Sequence, residues 1–254
     1  MSLVTLYQFP ISHYCEKVRW ALDFKGIPYE SVNLVPLWHV PRLLMLSRQT
    51  QLPVIVMDGA TVTGSWDILL AMEDRFPATP RLLPGRDSER RACSAIDAYC
   101  DRQLGPHVRR ACYFHILQDS EATFTLLSEG QGLSGRFRLR ASLPVVIRGM
   151  RQAMHVHRHG YLASIDAIRD ALNYLDNYLG GRSYYQGNHF SATDMTVASM
   201  LAPLARPPST IYAKPLLLDQ GFHDLIALFN HHPMIDWTRR TYARYRNVQR
   251  VCPA

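Results

Sequence analysis

The 254-residue sequence has no run approaching 18 apolar residues, so no membrane-spanning helix is expected. Met1 to Pro10 has neither a basic start nor a long apolar core, so no secretory leader is expected and the chain is placed in the cytoplasm. Cys-x-x-Cys is absent. The five cysteines (Cys15, Cys93, Cys100, Cys112 and Cys252) are odd in number and lack paired spacing. That pattern argues against a zinc ribbon or a disulfide scaffold and for reduced thiols. Internal repeats and low-complexity segments are also missing. Between Glu129 and Asp166 there is no acid, only six arginines: Arg136, Arg138, Arg140, Arg148, Arg151 and Arg158. A second basic stretch, Arg239, Arg240, Arg244, Arg246 and Arg250, lies near the end, and the formal net charge is +7. Such stretches attract anionic ligands, nucleic acid or membranes, but more often form a solvated face. The solvated face is preferred here, and no nucleic-acid role is expected.

What is present reads as two regions. Hydrophobic residues at 47% and charged residues at 19% are the balance of a globular chain, long enough for one large or two ordinary domains. Val4 to Phe9 is β-rich and stops at Pro10. From His13 to Lys25, Tyr14, Val18, Ala21 and Leu22 fall at helical spacing, and Gly26 ends the run. Tyr29 to Leu34 reads as a second strand, and a less regular helix covers Pro41 to Leu46. Pro53–Met57 and Ala60–Thr63 form a hairpin about Asp58-Gly59. Ser65 to Phe76 is a helix that Ser65 is expected to cap. The order β-α-β-α-β-β-α is that of a thioredoxin-like domain over residues 1–78. A proline-bearing linker spans 79–87, and an all-helical domain follows over 88–254. Its helices are expected at Ser88–Gln118, Leu162–Leu179, Ser191–Leu204 and Met234–Arg246.

Three motifs in this order carry a resemblance. Ser12-His13-Tyr14-Cys15-Glu16-Lys17-Val18-Arg19-Trp20-Ala21-Leu22 is similar to the first-helix signature of serine- and cysteine-class glutathione transferases. Gln51-Leu52-Pro53-Val54 with Gly64-Ser65 resembles their glutathione-binding segment. Phe190-Ser191-Ala192-Thr193-Asp194 resembles the capping box of a buried helix in their second domain. The resemblance covers most of the chain except about 118–160, which reads as an insertion. It implies glutathione as co-substrate, a hydrophobic electrophile as second substrate, a homodimer and no metal.

The chemistry follows from the thiol. The thiolate is the nucleophile, and an ordinary thiol of pKa about 8.5 is only about 3% ionised at pH 7. Lowering that by two units takes about 2.7 kcal/mol. One hydrogen bond to a charged group supplies about 1.5–3 kcal/mol, and a helix N-terminus adds about 0.3–1. A hydroxyl at the start of a helix therefore suffices. Ser12, at the strand-to-helix junction, aligns with the family's catalytic serine or cysteine, and the competing reading is a plain helix cap. Cys15 occupies the place of the second cysteine in dithiol oxidoreductases. With Ser12 in the first place, dithiol exchange is lost, and Cys15 reads as core packing. Tyr7 reads as a strand residue.

The resemblance further assigns Leu52-Pro53 as a cis peptide whose neighbours pair with the cysteinyl backbone of glutathione. It assigns Ser65, at a helix start, to the γ-glutamyl carboxylate. Two departures stand out. Gly64 replaces the usual Glu or Gln, with Asp67 as a compensating acid. His39 and Gln51 stand where several classes have lysines, with Arg42 as a substitute cation.

Ser191 and Asp194 form a reciprocal cap with a role in folding. His155 and His159 are spaced as a metal pair, but no nearby acid or cysteine completes a site, and metal binding is not expected. In the insertion, Leu143, Val146, Ile147, Met150 and Met154 form a helical stripe. Packing on the core is preferred for it over contact with a membrane or the electrophile pocket. Glutathione-dependent thiol transfer, or a transferase fold used only for binding or scaffolding, are the alternative functions.

Overall fold

A computed structural model describes residues 4–208, 210–215 and 218–246. Cys252 and Arg250 lie outside the described residues. The first region holds β1 (Val4–Gln8), α1 (His13–Lys25), β2 (Glu30–Asn33), α2 (Val40–Ser47), β3 (Val54–Met57), β4 (Ala60–Thr63) and α3 (Ser65–Arg75). The sheet order is β2-β1-β3-β4, with β1–β2 parallel and the other pairs antiparallel. This is a thioredoxin-like sheet. Val4, Leu6, Ile55 and Met57 bury one face of it against α1 and α3, through Val18, Leu22, Ile68 and Met72. α1 ends where expected, at Gly26, whose positive φ lets the chain leave the helix.

Beyond Arg86 the described chain is helical: α4 (Asp87–Tyr99), α5 (Gly105–Ile116), α6 (Ser120–Leu127), α7 (Leu133–Ala153), α8 (Arg158–Leu179), α9 (Ala192–Ala205), α10 (Gln220–Phe229) and α11 (Pro233–Tyr245). α9 is buried along nearly its whole length and forms the axis of this region. Trp20 of α1 packs on Phe190 and Tyr242, joining the two regions through aromatic rings.

Several expectations change. The single helix expected over Ser88–Gln118 is broken by a π-turn at Cys100–Leu104. Pro106 has no N–H to continue the ladder, and the Gly105 N–H reaches back five residues to the Cys100 carbonyl. Gly105 sits so close to its neighbours that a Cβ there would stand 2.4 Å from the Tyr14 hydroxyl and 3.0 Å from the Met200 sulfur. α6 and α10 are additional helices, each opened by an aspartate, Asp119 and Asp219, that accepts backbone N–H bonds. Ser65 is not the cap of α3. Gly64 holds that place at φ 82°, a conformation that would strain a side-chain-bearing residue. His155 has φ 52° and ends a turn, whereas His157 caps α8 by accepting from the Gly160 N–H at 3.1 Å. His155 and His159 therefore do not share a helix face. Among the described residues no helix is long and apolar enough to cross a membrane.

α6 and α7 occupy the segment read as an insertion. The Leu143–Val146 stripe packs inward, forming an apolar cluster with Val35, Phe124, Leu127 and Leu139. Three side-chain bonds tie the segment to the first region: Asn33 Nδ2 to the Gly130 carbonyl (3.1 Å), Gln131 Nε2 to the Leu34 carbonyl (2.9 Å) and Trp38 Nε1 to Ser142 Oγ (3.2 Å).

Candidate active site

Strand register decides which residues meet. Tyr7 on β1 pairs with Val54 on β3, Val54 pairs with Thr63 on β4, and Gln8 pairs with Asn33 on β2. β1, β2 and β4 end at this row, and β3 begins there. Ser12 after β1, His39 after β2, Gln51-Leu52-Pro53-Val54 before β3 and Gly64-Ser65 after β4 therefore lie at one end of the sheet. The Leu52–Pro53 bond is cis.

Ser12 caps α1 with extended backbone (φ −72°, ψ 123°). Its hydroxyl is half-buried, accepts a long bond, 3.4 Å, from the Cys15 N–H, and lies within hydrogen-bond reach of the Cys15 thiol. A hydroxyl held so weakly keeps its proton available to a second partner. His13, the next residue, is buried, and its Nε2 has no hydrogen-bond partner. Burial, and then the Arg109 guanidinium, push its imidazole down to about 3. Near neutral pH it is uncharged, so any stabilisation of an anion here comes from the Ser12 hydroxyl and the helix end, not from an imidazolium. Glu16, in the same first turn, is committed elsewhere. Burial opposes its charge, yet Arg19 and Arg246 hold its carboxyl below the usual range. Cys15 is fully buried, and burial pushes its thiol up, which suits packing and not nucleophilic attack.

Ser65 is the first residue of α3 and is buried. Its Oγ accepts from Lys17 Nζ at 3.2 Å, which leaves its own proton free to donate outward. Lys17 is fully buried and paired with Asp97 of α4, and Asp97 also accepts from Thr196 Oγ1 at 2.7 Å. With the Lys17 charge matched by Asp97, the free N–H groups of the first turn of α3 are what favours an anion at that terminus. The sequence showed Lys17 only as part of the α1 signature, because its acid partner lies 80 residues away. His13 is likewise a site neighbour not read from the sequence.

The departures have structural counterparts. The Asp67 carboxylate lies over Gly64, 3.3 Å from where a Cβ would stand. An acid on α3 thus fills space that a longer side chain at position 64 would enter. His39 packs edge-on to Phe9, and burial lowers its pKa, so it supplies no fixed cation. Gln51 is exposed, and its backbone N–H and carbonyl are both engaged by the Gln49 side-chain amide. Arg42 lies over the Tyr7 ring, 5.0 Å from its centre. Among the described residues no cluster of three or more His, Cys, Asp or Glu is placed to hold a metal. A separate cleft of about 790 Å³ lies beside β2, lined by Gln8, Glu16, Arg19, Asn33, Lys214 and Arg246. Its charges are already paired, Arg246 with Glu16 and Asp23, and Lys214 with Glu129.

Comparison with known proteins agrees with this geometry. Residues 6–80 match the model of the glutathione S-transferase N-terminal domain. A curated relative, glutathione S-transferase 1 of Dianthus caryophyllus, is 36% identical over 90 residues, 34% of this chain and 40% of the relative. The chain thus spans less than half the length of that relative. In its first domain the chain is similar to the glutathione transferases. Its whole architecture is that of the same fold. A rice glutathione transferase solved with glutathione superimposes with TM-score 0.62 at 18% identity, covering 95% of this chain and 88% of that one. A Populus trichocarpa glutathione transferase gives 0.64 at 15%, covering 95% and 94%. A β-etherase of a Sphingobium strain gives 0.62 at 18%, covering 94% and 99%.

Proposed function

We propose that the protein is a cytoplasmic glutathione transferase that binds glutathione at this end of the sheet and ionises its thiol through Ser12. The thiolate then attacks a hydrophobic electrophile. The observation that carries the reading is the half-buried Ser12 hydroxyl, weakly bonded at a helix N-terminus and at the same sheet end as Ser65. In this reading the γ-glutamyl carboxylate meets the first turn of α3 and the Ser65 hydroxyl, with Lys17 beneath. The main chain beside the cis Leu52–Pro53 bond pairs with the cysteinyl residue. Asp67 receives the ammonium end, and His39, Gln51 and Arg42 flank the glycine end.

A hydrophobic second substrate is supported by Ile11, which precedes Ser12 and packs against the cluster of Val35, Phe124 and Leu127. Thiol transfer by Cys15 is disfavoured by that thiol's complete burial. The reading includes a homodimer and a detoxification role, both carried from the family. Calorimetric titration with glutathione, followed by turnover of an aryl halide, tests it. Absence of glutathione binding favours the scaffold alternative, and binding without conjugation favours a carrier or thiol transferase.

A further inference from the structure

α7 has apolar residues on two faces. Leu139, Leu143 and Val146 are buried in the cluster with Val35 and Phe124. Leu133, Phe137 and Val145, spaced at multiples of four, form a second stripe on the outside. Leu133 is 89% exposed and Phe137 76%. The first region adds to this surface at the place where it touches α7. Trp38 is 53% exposed, and its ring is held by the bond to Ser142 and by the Arg138 guanidinium 5.7 Å from its centre. Leu37, Leu44 and Met45 of the same segment are also exposed, Met45 to 90%. Large exposed side chains on two segments that meet at Trp38 mark a surface that something covers.

The charge pattern says what covers it. Residues 31–57, which include α2, contain no acid, and neither do residues 130–165, which include α7. Arg42 and Arg48 on the first segment and Arg136, Arg138 and Arg148 on the second are all exposed. Arg140 is paired with Glu121, but none of those five makes an ion pair among the described residues. A second copy of this chain would bring arginines against arginines. Nucleic acid would neutralise the charge but leave Met45, Leu133 and Phe137 in water. An anionic bilayer satisfies both: its headgroups match the guanidiniums, and its acyl boundary accepts the apolar side chains.

We infer that the face formed by the Trp38–Met45 segment and the outer side of α7 docks the protein on anionic phospholipid membranes. It lies in the plane of the interface and does not span it. Because α2 is preceded by His39 at the candidate site, docking brings that site to a surface where apolar compounds concentrate. This last consequence rests on the proposed transferase reading, whereas the docking itself does not.

The test uses the full-length protein with vesicles of pure phosphatidylcholine and of phosphatidylcholine with about one-third phosphatidylglycerol. Co-sedimentation is expected with the anionic vesicles and not with the neutral ones. It is expected to fall about tenfold on raising salt from low to high ionic strength, as screening of surface charge requires. Met45→Ser combined with Phe137→Ser should cut binding about tenfold, while circular dichroism and glutathione affinity stay unchanged. Arg138→Glu with Arg148→Glu should abolish it. Trp38 emission should shift to the blue on binding, and Trp38→Phe should remove the shift.

Failure of the wild type to sediment with anionic vesicles overturns the proposal, as does equal binding by the Met45→Ser/Phe137→Ser variant. Equal binding to neutral vesicles overturns the part assigned to charge. If that variant turns a dimer into a monomer in analytical ultracentrifugation, the face is an interface between copies and the proposal is wrong. Calorimetry with glutathione on the same samples reads the transferase proposal independently.

Discussion

Ser12 and Ser191 both begin helices, and both backbones are extended at the cap, yet their hydroxyls are held very differently. Ser191 is buried, and Asp194 accepts from its N–H (2.8 Å) and its hydroxyl (2.6 Å), and from the Tyr185 N–H (2.9 Å). The Ser191 N–H and hydroxyl and the Asp194 carboxylate all have partners, so that hydroxyl is closed to further chemistry. Ser12 is half-buried and accepts one long bond. Ser65 lies between these cases, with one lone pair taken by a buried lysine and its proton unspent. A serine at a helix start is thus a folding device when its hydrogen bonds are complete, and is open to a further partner when they are not.

The sharpest test of the contrast strands a buried charge. Asp97→Ala removes the partner of Lys17 and should lower stability by about 3–5 kcal/mol, measured by urea denaturation. The paired change Lys17→Met/Asp97→Leu should recover most of the loss, because the uncompensated charge is gone. Asp194→Ala should cost about 2–4 kcal/mol, since buried N–H donors lose their acceptor. A loss below about 1 kcal/mol would show that the α9 box is no more closed than the α1 cap.

Ser12→Ala should change stability by no more than about 1 kcal/mol, yet raise the pKa of bound glutathione by about one to two units. Turnover near neutral pH should then fall about ten- to a hundredfold, with the deficit shrinking at higher pH. If thiolate absorbance and turnover are both unmoved, Ser12 is a cap like Ser191. Cys15→Ala should leave turnover within about twofold of wild type, the pattern expected of a packing residue.

A pH-dependent effect concerns His13, held far below its ordinary value. The unfolded chain protonates there below pH about 6.5, and the folded protein does not. The stability it contributes is therefore present above that pH and is lost as pH falls toward about 3, by at most about 1.4 kcal/mol per unit. In denaturation series across pH 4 to 7, His13→Asn should flatten the acid side of the curve. An unchanged slope would mean that the imidazole protonates within the fold.

Features set by neighbours in sequence were legible in advance. Asp58-Gly59 placed the hairpin, Gly26 placed the end of α1, and the i, i+3 spacing of Ser191 and Asp194 placed the box of α9. The Gly105-Pro106 dipeptide marks the break in the sequence, yet the single helix expected over Ser88–Gln118 ran through it. What the sequence withheld is non-local. Lys17 pairs across 80 residues, and Ser65 lost the cap position because Gly64 takes the turn. On α7 the interleaved arginines masked a second apolar stripe, since periodicity reports one face more readily than two. The positions named for glutathione do gather at one sheet end, because strand register is itself a pattern of local alternation.

The close approach of Gly105 to Tyr14 has a consequence for how this sequence can change over generations. A methyl group at position 105 would have to displace the Tyr14 ring, whose hydroxyl lies near the Asp101 carbonyl. Replacing Tyr14 with a smaller residue removes the nearest obstacle, although the Met200 sulfur still crowds the space. The order of the two events therefore matters. Tyr14→Leu followed by Gly105→Ala is an open route, whereas Gly105→Ala first passes through a strained intermediate. Positions 14 and 105, on opposite sides of the junction between the two regions, should be inherited as a pair.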